Sequence, residues 1–325
     1  APFFREMETL RSLKARLTGQ ENARLNPWDV AYYANLRAEE HFRLDQEELR
    51  RHFPLPRVLD GLFSLAERLY GIRVKEIPTR QSLSGIPAGE SAGAVEVWHP
   101  DVRFFTIDDG NGDRLGSFYL DLFSRSNKRA GAWMNTLDTG SPSTPETPGK
   151  PRLGMVCLNI HPPSAGDTVT LSHREVRTLF HEFGHLLHLM FTRVSIPSLA
   201  GTSVPRDFVE VPSQFMENWC WRPDVLKSFA RHEQTGFPFP EEMLNALDAS
   251  RGNTPALALA GQLLYAKMDL AVHSEPERFS AGSLDNVDSA VAGEMDYFKR
   301  AGKLRTARHL FSSPAGYASF YFSYQ

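Results

Sequence analysis

The sequence has 325 residues, 41% of them hydrophobic and 23% charged, enough for a large buried core in one big domain or two intimate ones. A formal net charge of −3 and a pI near 6.4 carry no basic excess of the kind that nucleic acid or an anionic membrane surface selects, so neither is expected as a partner. The most apolar stretch, residues 255–272, is broken by Lys267 and Asp269, which suits a buried helix and excludes a bilayer span.

Cys157 and Cys220 are too few for a disulfide framework, so a reducing compartment, the cytoplasm, is expected. The chain opens on APFFREME without a methionine or a signal peptide and stops at FYFSYQ inside an aromatic helical pattern. It is therefore expected to be a piece of a longer polypeptide, cut at both ends.

Residues 1–75 read as helical. Asn26 before Pro27 is an N-cap with proline at the first helical position, followed by Tyr32, Tyr33 and Leu36 and, after a break, Phe42 and Leu44. A second helix carries Val58, Leu59, Leu62, Phe63, Leu65, Ala66 and Leu69, and Gly71 closes it.

The character changes after residue 72. VEVWH and VRFFTID are short, β-branched or aromatic segments separated by Pro100 and Asp101, and DDGNGDRLG is a turn between two strands. A further strand is expected at residues 155–160, MVCLNI, and the proline-rich run 139–151 is a surface loop. From Ser172 the pattern is helical again, apart from a Gly/Pro-rich stretch near 195–206, and there is no internal repeat. The expected fold is mainly α with a small antiparallel β-sheet (α+β). Its parts are a helical stretch over 1–75, the sheet and loop over 76–160, and a helical stretch over 161–325.

The chemistry centres on the last part. Ser172 and Glu175 form a capping box, and the helix they open buries Val176, Leu179, Phe180, Phe183, Leu187 and Met190. His181-Glu182-Phe183-Gly184-His185 lies on it. Histidines four apart share a helical face, so both imidazoles can reach one metal ion. Glu182 projects about 100° from His181, close enough to take a proton from a water on that ion without ligating it. Gly184 costs about 1 kcal/mol in a helix relative to alanine, which implies another segment packed against it. The candidate third ligand is Glu210, 25 residues after His185, on a second helix whose start Ser203 and Pro205 mark. Pro212 kinks that helix and can aim Glu210 at the ion. Asp207 and Glu217 are either outer acceptors for the ligand histidines or ordinary helix charges. His188, three residues after His185, either supports a ligand histidine or, more simply, is a packed or solvated histidine. Two imidazoles and one carboxylate leave an open coordination position that suits one Zn2+ per chain.

HEFGHLLH followed by GTSVPRDFVEVPSQFMENW resembles the thimet oligopeptidase and oligopeptidase A family of zinc peptidases, peptidase family M3. NPWDVAYY, FPLPRVLDGLF, VWHPDVRFF, GSFYLDLFSRSNKRAGAWM and GYASFYFSY are similar to segments of that family in the same order. The resemblance implies a zincin-like catalytic domain with zinc on His181, His185 and Glu210 and with Glu182 as general base. It implies short, unstructured peptides as substrates, admitted through a channel whose opposite wall is an N-terminal helical region that this chain lacks.

Tyr317, Tyr321 and Tyr324 share one helical face, by itself a core-packing pattern. The resemblance instead implies cleft residues, with Tyr317 and Tyr324 donating to the oxyanion of peptide attack and Tyr321 binding substrate. The family carries a cleft histidine five or six residues before the first of these tyrosines. Here the nearest is His309, eight residues before Tyr317, with Ser312-Ser313-Pro314 between. The expected protein is a monomeric metalloendopeptidase; the other reading is a non-catalytic zinc- or peptide-binding relative, or an inactive fragment of such an enzyme.

Overall fold

Asn26 opens its helix as the sequence predicts: its backbone N–H donates to Asp29 Oδ2 at 2.7 Å, and Pro27 takes the first position. The computed structural model describes residues 2–81, 93–142, 148–163, 168–279, 291, 297–298, 304 and 307–311, without the side chains of 278, 279, 308 and 309. The chain starts with α1 (Pro2–Thr18), α2 (Pro27–Phe42), α3 (Gln46–Arg50) and α4 (Leu55–Tyr70), followed by β1 (Arg73–Ile77) and β2 (Thr79–Gln81). Then come β3 (Val95–Val97), β4 (Arg103–Asp108), β5 (Arg114–Phe123), β6 (Trp133–Asp138) and β7 (Arg152–Ile160). The remaining helices are α5 (His173–Met190), α6 (Arg206–Val209), α7 (Val211–Glu217), α8 (Pro223–Phe229), α9 (Glu241–Ser250) and α10 (Pro255–Ser274). The helix expected to break before Phe42 runs through to it without interruption.

The contacts divide the chain into two compact units, one of residues 1–45, 206–208 and 242–325, the other of residues 46–205 and 209–241. In the first, α1 packs on α2 and α10, burying Met7, Leu10, Leu13, Leu25 and Tyr33. Glu6 accepts from the backbone N–H groups of Ala256 (3.1 Å) and Leu257 (2.7 Å), placing a carboxylate on the unsatisfied amides that open α10.

The second unit holds the sheet, in the order β1-β4-β5-β7-β6, with β2 and β3 forming a separate parallel pair. VEVWH and VRFFTID are strands β3 and β4, but β3 pairs with β2, and β4 lies between β1 and β5. The expectation of an antiparallel sheet is corrected here. The sheet is mixed, because β5 and β7 pair in parallel, Gly116 against Arg152 through Phe123 against Ile160. The cause is insertion. β7 is antiparallel to β6 and slots between β6 and β5, so it must run with β5.

The inner face of the sheet is built for helices. Phe118, Leu120 and Leu122 alternate inward along β5, and Phe63 of α4 and Phe183 of α5 meet Phe118 at ring-centroid distances of 6.3 and 5.9 Å. Helix α5 comes very close: a Cβ on Gly154 of β7 would stand 2.6 Å from Leu186 Cδ1. Gly71, at φ 67°, closes α4 in the left-handed conformation that glycine adopts without strain. Among the described residues, no helix is long and apolar enough to cross a membrane.

A buried ionic knot ties the far ends of the strands. Asp121 is 3% exposed and accepts from Arg125 (2.8 and 2.7 Å), Lys128 (2.9 Å) and Trp98 Nε1 (3.1 Å). Burial works against its charge, but the Arg125, Lys128 and Trp98 hydrogen bonds outweigh it and lower its pKa from 3.8 to about 2. A folded-state pKa below the unfolded value adds stability that is present above about pH 4 and disappears as pH falls through about 2. The expected contribution is about 2 kcal/mol. Urea unfolding at pH values between 5 and 2 should show that slope in the native protein, and Asp121→Asn should flatten it while lowering stability at neutral pH.

Candidate metal centre

Ser172 accepts from the Glu175 backbone N–H at 3.2 Å, and Glu175 Oε2 accepts from the Ser172 backbone N–H at 2.7 Å, so the capping box forms as read from sequence. From that start, α5 carries His181 and His185 on one face, with ring centroids 4.9 Å apart. The expected second helix is divided. Helix α6 ends at Val209, and Glu210 stands at φ −86° and ψ −8° as the residue before α7. Pro212, at the second position of α7, lacks the N–H that a continuous helix would need there. The break falls at Glu210, whose carboxylate is turned inward and buried.

Gly184 makes the meeting possible. A Cβ there would lie 2.6 Å from Pro212 O, 2.7 Å from Ser213 Cα and 3.1 Å from Met216 Cγ. Without a side chain, α5 and α7 pack backbone to backbone, and Glu210 Oε2 reaches 3.2 Å from both His181 Nε2 and His185 Nε2. The three ligand atoms lie within 4.8 Å of one another.

The donor set fits a divalent ion. His181 Nδ1 lies 2.8 Å from Glu217 Oε1, an acceptor, so Nδ1 carries the proton and the neutral ring presents a bare lone pair at Nε2. That lone pair faces the Glu210 carboxylate, which is also an acceptor, and the contact is repulsive unless something positive lies between them. Atoms bound about 2.0–2.2 Å from a tetrahedral ion stand about 3.3–3.6 Å apart, close to the 3.2 Å seen here. A proton is the simplest cation. Burial opposes it, yet the Glu210 and Glu217 hydrogen bonds prevail and raise the His181 pKa to about 9.

Around this core, Ser213 Oγ donates to Glu210 Oε2 at 2.9 Å, and Arg177 Nη2 holds Glu217 Oε2 at 2.6 Å. Burial raises the Glu217 pKa, but His181 and Arg177 outweigh it and hold the carboxyl below its usual range. Glu182 differs. It is 6% exposed, and burial pushes its pKa up, partly offset by the two imidazoles and by the nearby backbone of Met134 in β6. Helix α5 therefore puts on adjacent turns two histidines that face the candidate ion and a carboxylate held more basic than usual beside it.

A sequence model of Peptidase family M3 matches residues 3–325. The chain belongs to peptidase family M3. Oligopeptidase A of Escherichia coli (strain K12) is 40% identical over 83% of this chain and 37% of its own length. The organellar oligopeptidase A of Arabidopsis thaliana is 36% identical over 98% and 39%, and the dipeptidyl carboxypeptidase of E. coli is 34% identical over 98% and 45%. This M3 chain thus spans less than half the length of these relatives.

Of the remaining sequence candidates, Glu217 contacts a ligand histidine, while Asp207 is exposed. His188 lines an apolar cavity with Tyr70, Leu187, Phe191 and Phe215, and burial lowers its pKa, as does the charge of His185. Tyr317, Tyr321 and Tyr324 lie outside the described residues. His309 falls in the short 3-10 turn Arg308–Phe311, and its side chain is outside them too. Three contributors escaped the sequence reading. Ser213, three residues after Glu210, and Arg177, four before His181, carry helical spacing as a signal. Met134 acts through its backbone, which no residue type announces.

Gly184→Ala should lower stability by about 1–3 kcal/mol through overpacking, although alanine is the better helix former by about 1 kcal/mol. A thermal melt of the variant against the native chain reads this directly, and an unchanged or raised Tm would contradict the close approach.

Proposed function

We propose that this chain carries the catalytic centre of a zinc-dependent metalloendopeptidase that hydrolyses short, unstructured oligopeptides. The observation that carries the reading is the convergence of His181 Nε2 and His185 Nε2 on Glu210 Oε2, 3.2 Å from each, with Glu182 buried beside them. Membership of family M3, with relatives named oligopeptidase A and dipeptidyl carboxypeptidase, supports the same reaction class.

His181, His185 and Glu210 would hold one Zn2+, steadied by Glu217 and Ser213. A bound zinc ion supplies Lewis-acid polarisation of the scissile carbonyl and lowers the pKa of water at the centre. Glu182 accepts the proton lost by the attacking water and returns it to the departing amide nitrogen, so the carboxylate is regenerated. Its raised pKa makes it a stronger base than a solvated glutamate. On the family resemblance, Tyr317 and Tyr324 donate to the developing oxyanion, and Tyr321 and His309 contact substrate. A cytoplasmic setting agrees with two buried free cysteines. Among the relatives, one from Arabidopsis thaliana is named a probable cytosolic oligopeptidase A, another an organellar one.

The test is metal content and turnover on the same preparation. One zinc per chain by elemental analysis and cleavage of an internally quenched peptide, abolished by a chelator and restored by zinc, is the expected result. Glu182→Gln should keep the zinc and lose about 10²–10⁴-fold in kcat. His181→Ala and Glu210→Ala should lose the zinc, and Glu217→Ala should weaken its binding by about 10–100-fold in a chelator competition. Stoichiometric zinc with no turnover would replace the proposal with a zinc-binding, non-catalytic role, and failure to take up zinc would sink it.

A further inference from the structure

Residues 124–132 join β5 to β6 and pass over the C-terminal end of β7, which lies between those strands. Two side chains hold this crossing down. Lys128, with its side chain only 4% exposed, donates to the carbonyl oxygens of Asp121 (2.8 Å) and Phe123 (3.0 Å) and to that of Leu158. Its ammonium thereby gathers the last carbonyls of β5 and β7. Asn159 Nδ2 donates to the carbonyls of Arg129 (2.8 Å) and Gly131 (2.6 Å), fixing the residues that lead into β6. The Arg129 guanidinium then covers the ring of Trp133, the first residue of β6, at 4.5 Å.

Among the described residues, the crossing delivers the chain into an edge strand: β6 pairs there with β7 alone, so one ladder sets its position, and the way it enters the sheet matters more than for an inner strand. It packs against α5, the helix that carries Glu182; its residue Met134 pairs with Val156 of β7, and the Met134 backbone is among the groups that act on the Glu182 carboxylate. None of Lys128, Asn159 and the crossing is a metal ligand or a neighbour of one in sequence.

We infer that Lys128 and Asn159 are positioning residues for Glu182, because by anchoring the crossing they set the placement of β6, the backbone rail against which that carboxylate rests. The catalytic consequence rests on the proposed role of Glu182 as the base; the placement of β6 does not. A knot that served stability alone would change the melting temperature and leave the relation of β6 to α5 untouched.

Asn159→Asp keeps the shape of the side chain and removes both donated hydrogen bonds at a half-exposed position. Hydrogen exchange read by mass spectrometry should show residues 133–138 exchanging at least about tenfold faster than in the native chain, with α4 unchanged. On the zinc-loaded protein, kcat for a quenched peptide should fall by about tenfold while KM and zinc content stay within about twofold, the signature of a misplaced group rather than a lost binding contact. Lys128→Met, which fills the buried volume without the cation, should show the same pattern; if it does not fold, Asn159→Asp decides alone. Native-like exchange at 133–138 in folded Asn159→Asp would overturn the inference, and so would faster exchange with kcat unchanged. A native chain that binds zinc but cleaves nothing would count against the proposed function, and the exchange comparison would still decide whether Asn159 holds β6.

Discussion

Glu210 Oε2 stands 3.2 Å from both His181 Nε2 and His185 Nε2 in a largely buried space. A neutral His181 ring, its Nδ1–H given to Glu217, would turn a lone pair toward that carboxylate, and the surrounding structure makes the meeting tolerable. Backbone contact between α5 and α7 across Gly184 brings the groups together, and the break at Glu210 turns the third one in. The positive charge that the arrangement calls for is met by a proton on His181 or, in the proposed function, by a divalent ion.

Three glutamates share this neighbourhood and their environments separate them. Glu217 bridges His181 and Arg177, so its charge is compensated and its pKa is depressed. Glu210 accepts from Ser213 and faces both imidazoles. Among the described residues no basic side chain hydrogen-bonds Glu182, so burial dominates and its pKa rises. The same functional group becomes an orienting acceptor, a ligand and a base according to what stands beside it. The mixed sheet contributes at a distance. Because β7 inserts between β5 and β6, β6 is the edge strand among the described residues and lies against α5, the helix that carries Glu182.

Much of this could be read from the residues alone. The capping box of α5, the stop at Gly71, the cap at Asn26 and the face shared by His181 and His185 follow from local rules that act within one helical turn. The glycine in the middle of α5 announced a close neighbour, and Glu210 was the carboxylate that a returning helix could bring back. The kink expected from Pro212 in the early turns is seen as a break between α6 and α7 at Glu210, since the proline's own nitrogen has no hydrogen to bond the carbonyl four residues earlier.

What lay beyond the sequence was long-range. Strand segments show that they pair but not with which partner, since apolar alternation looks alike in parallel and antiparallel neighbours, and so the parallel β5–β7 pair went unforeseen. The buried knot of Asp121, Arg125 and Lys128 and the Met134 backbone beside Glu182 likewise depend on chain crossings. Residue type and spacing determined which groups can do chemistry, because those preferences are written within a turn of helix. Tertiary structure alone decided which distant backbone groups stand beside them, because that depends on the order in which strands enter the sheet.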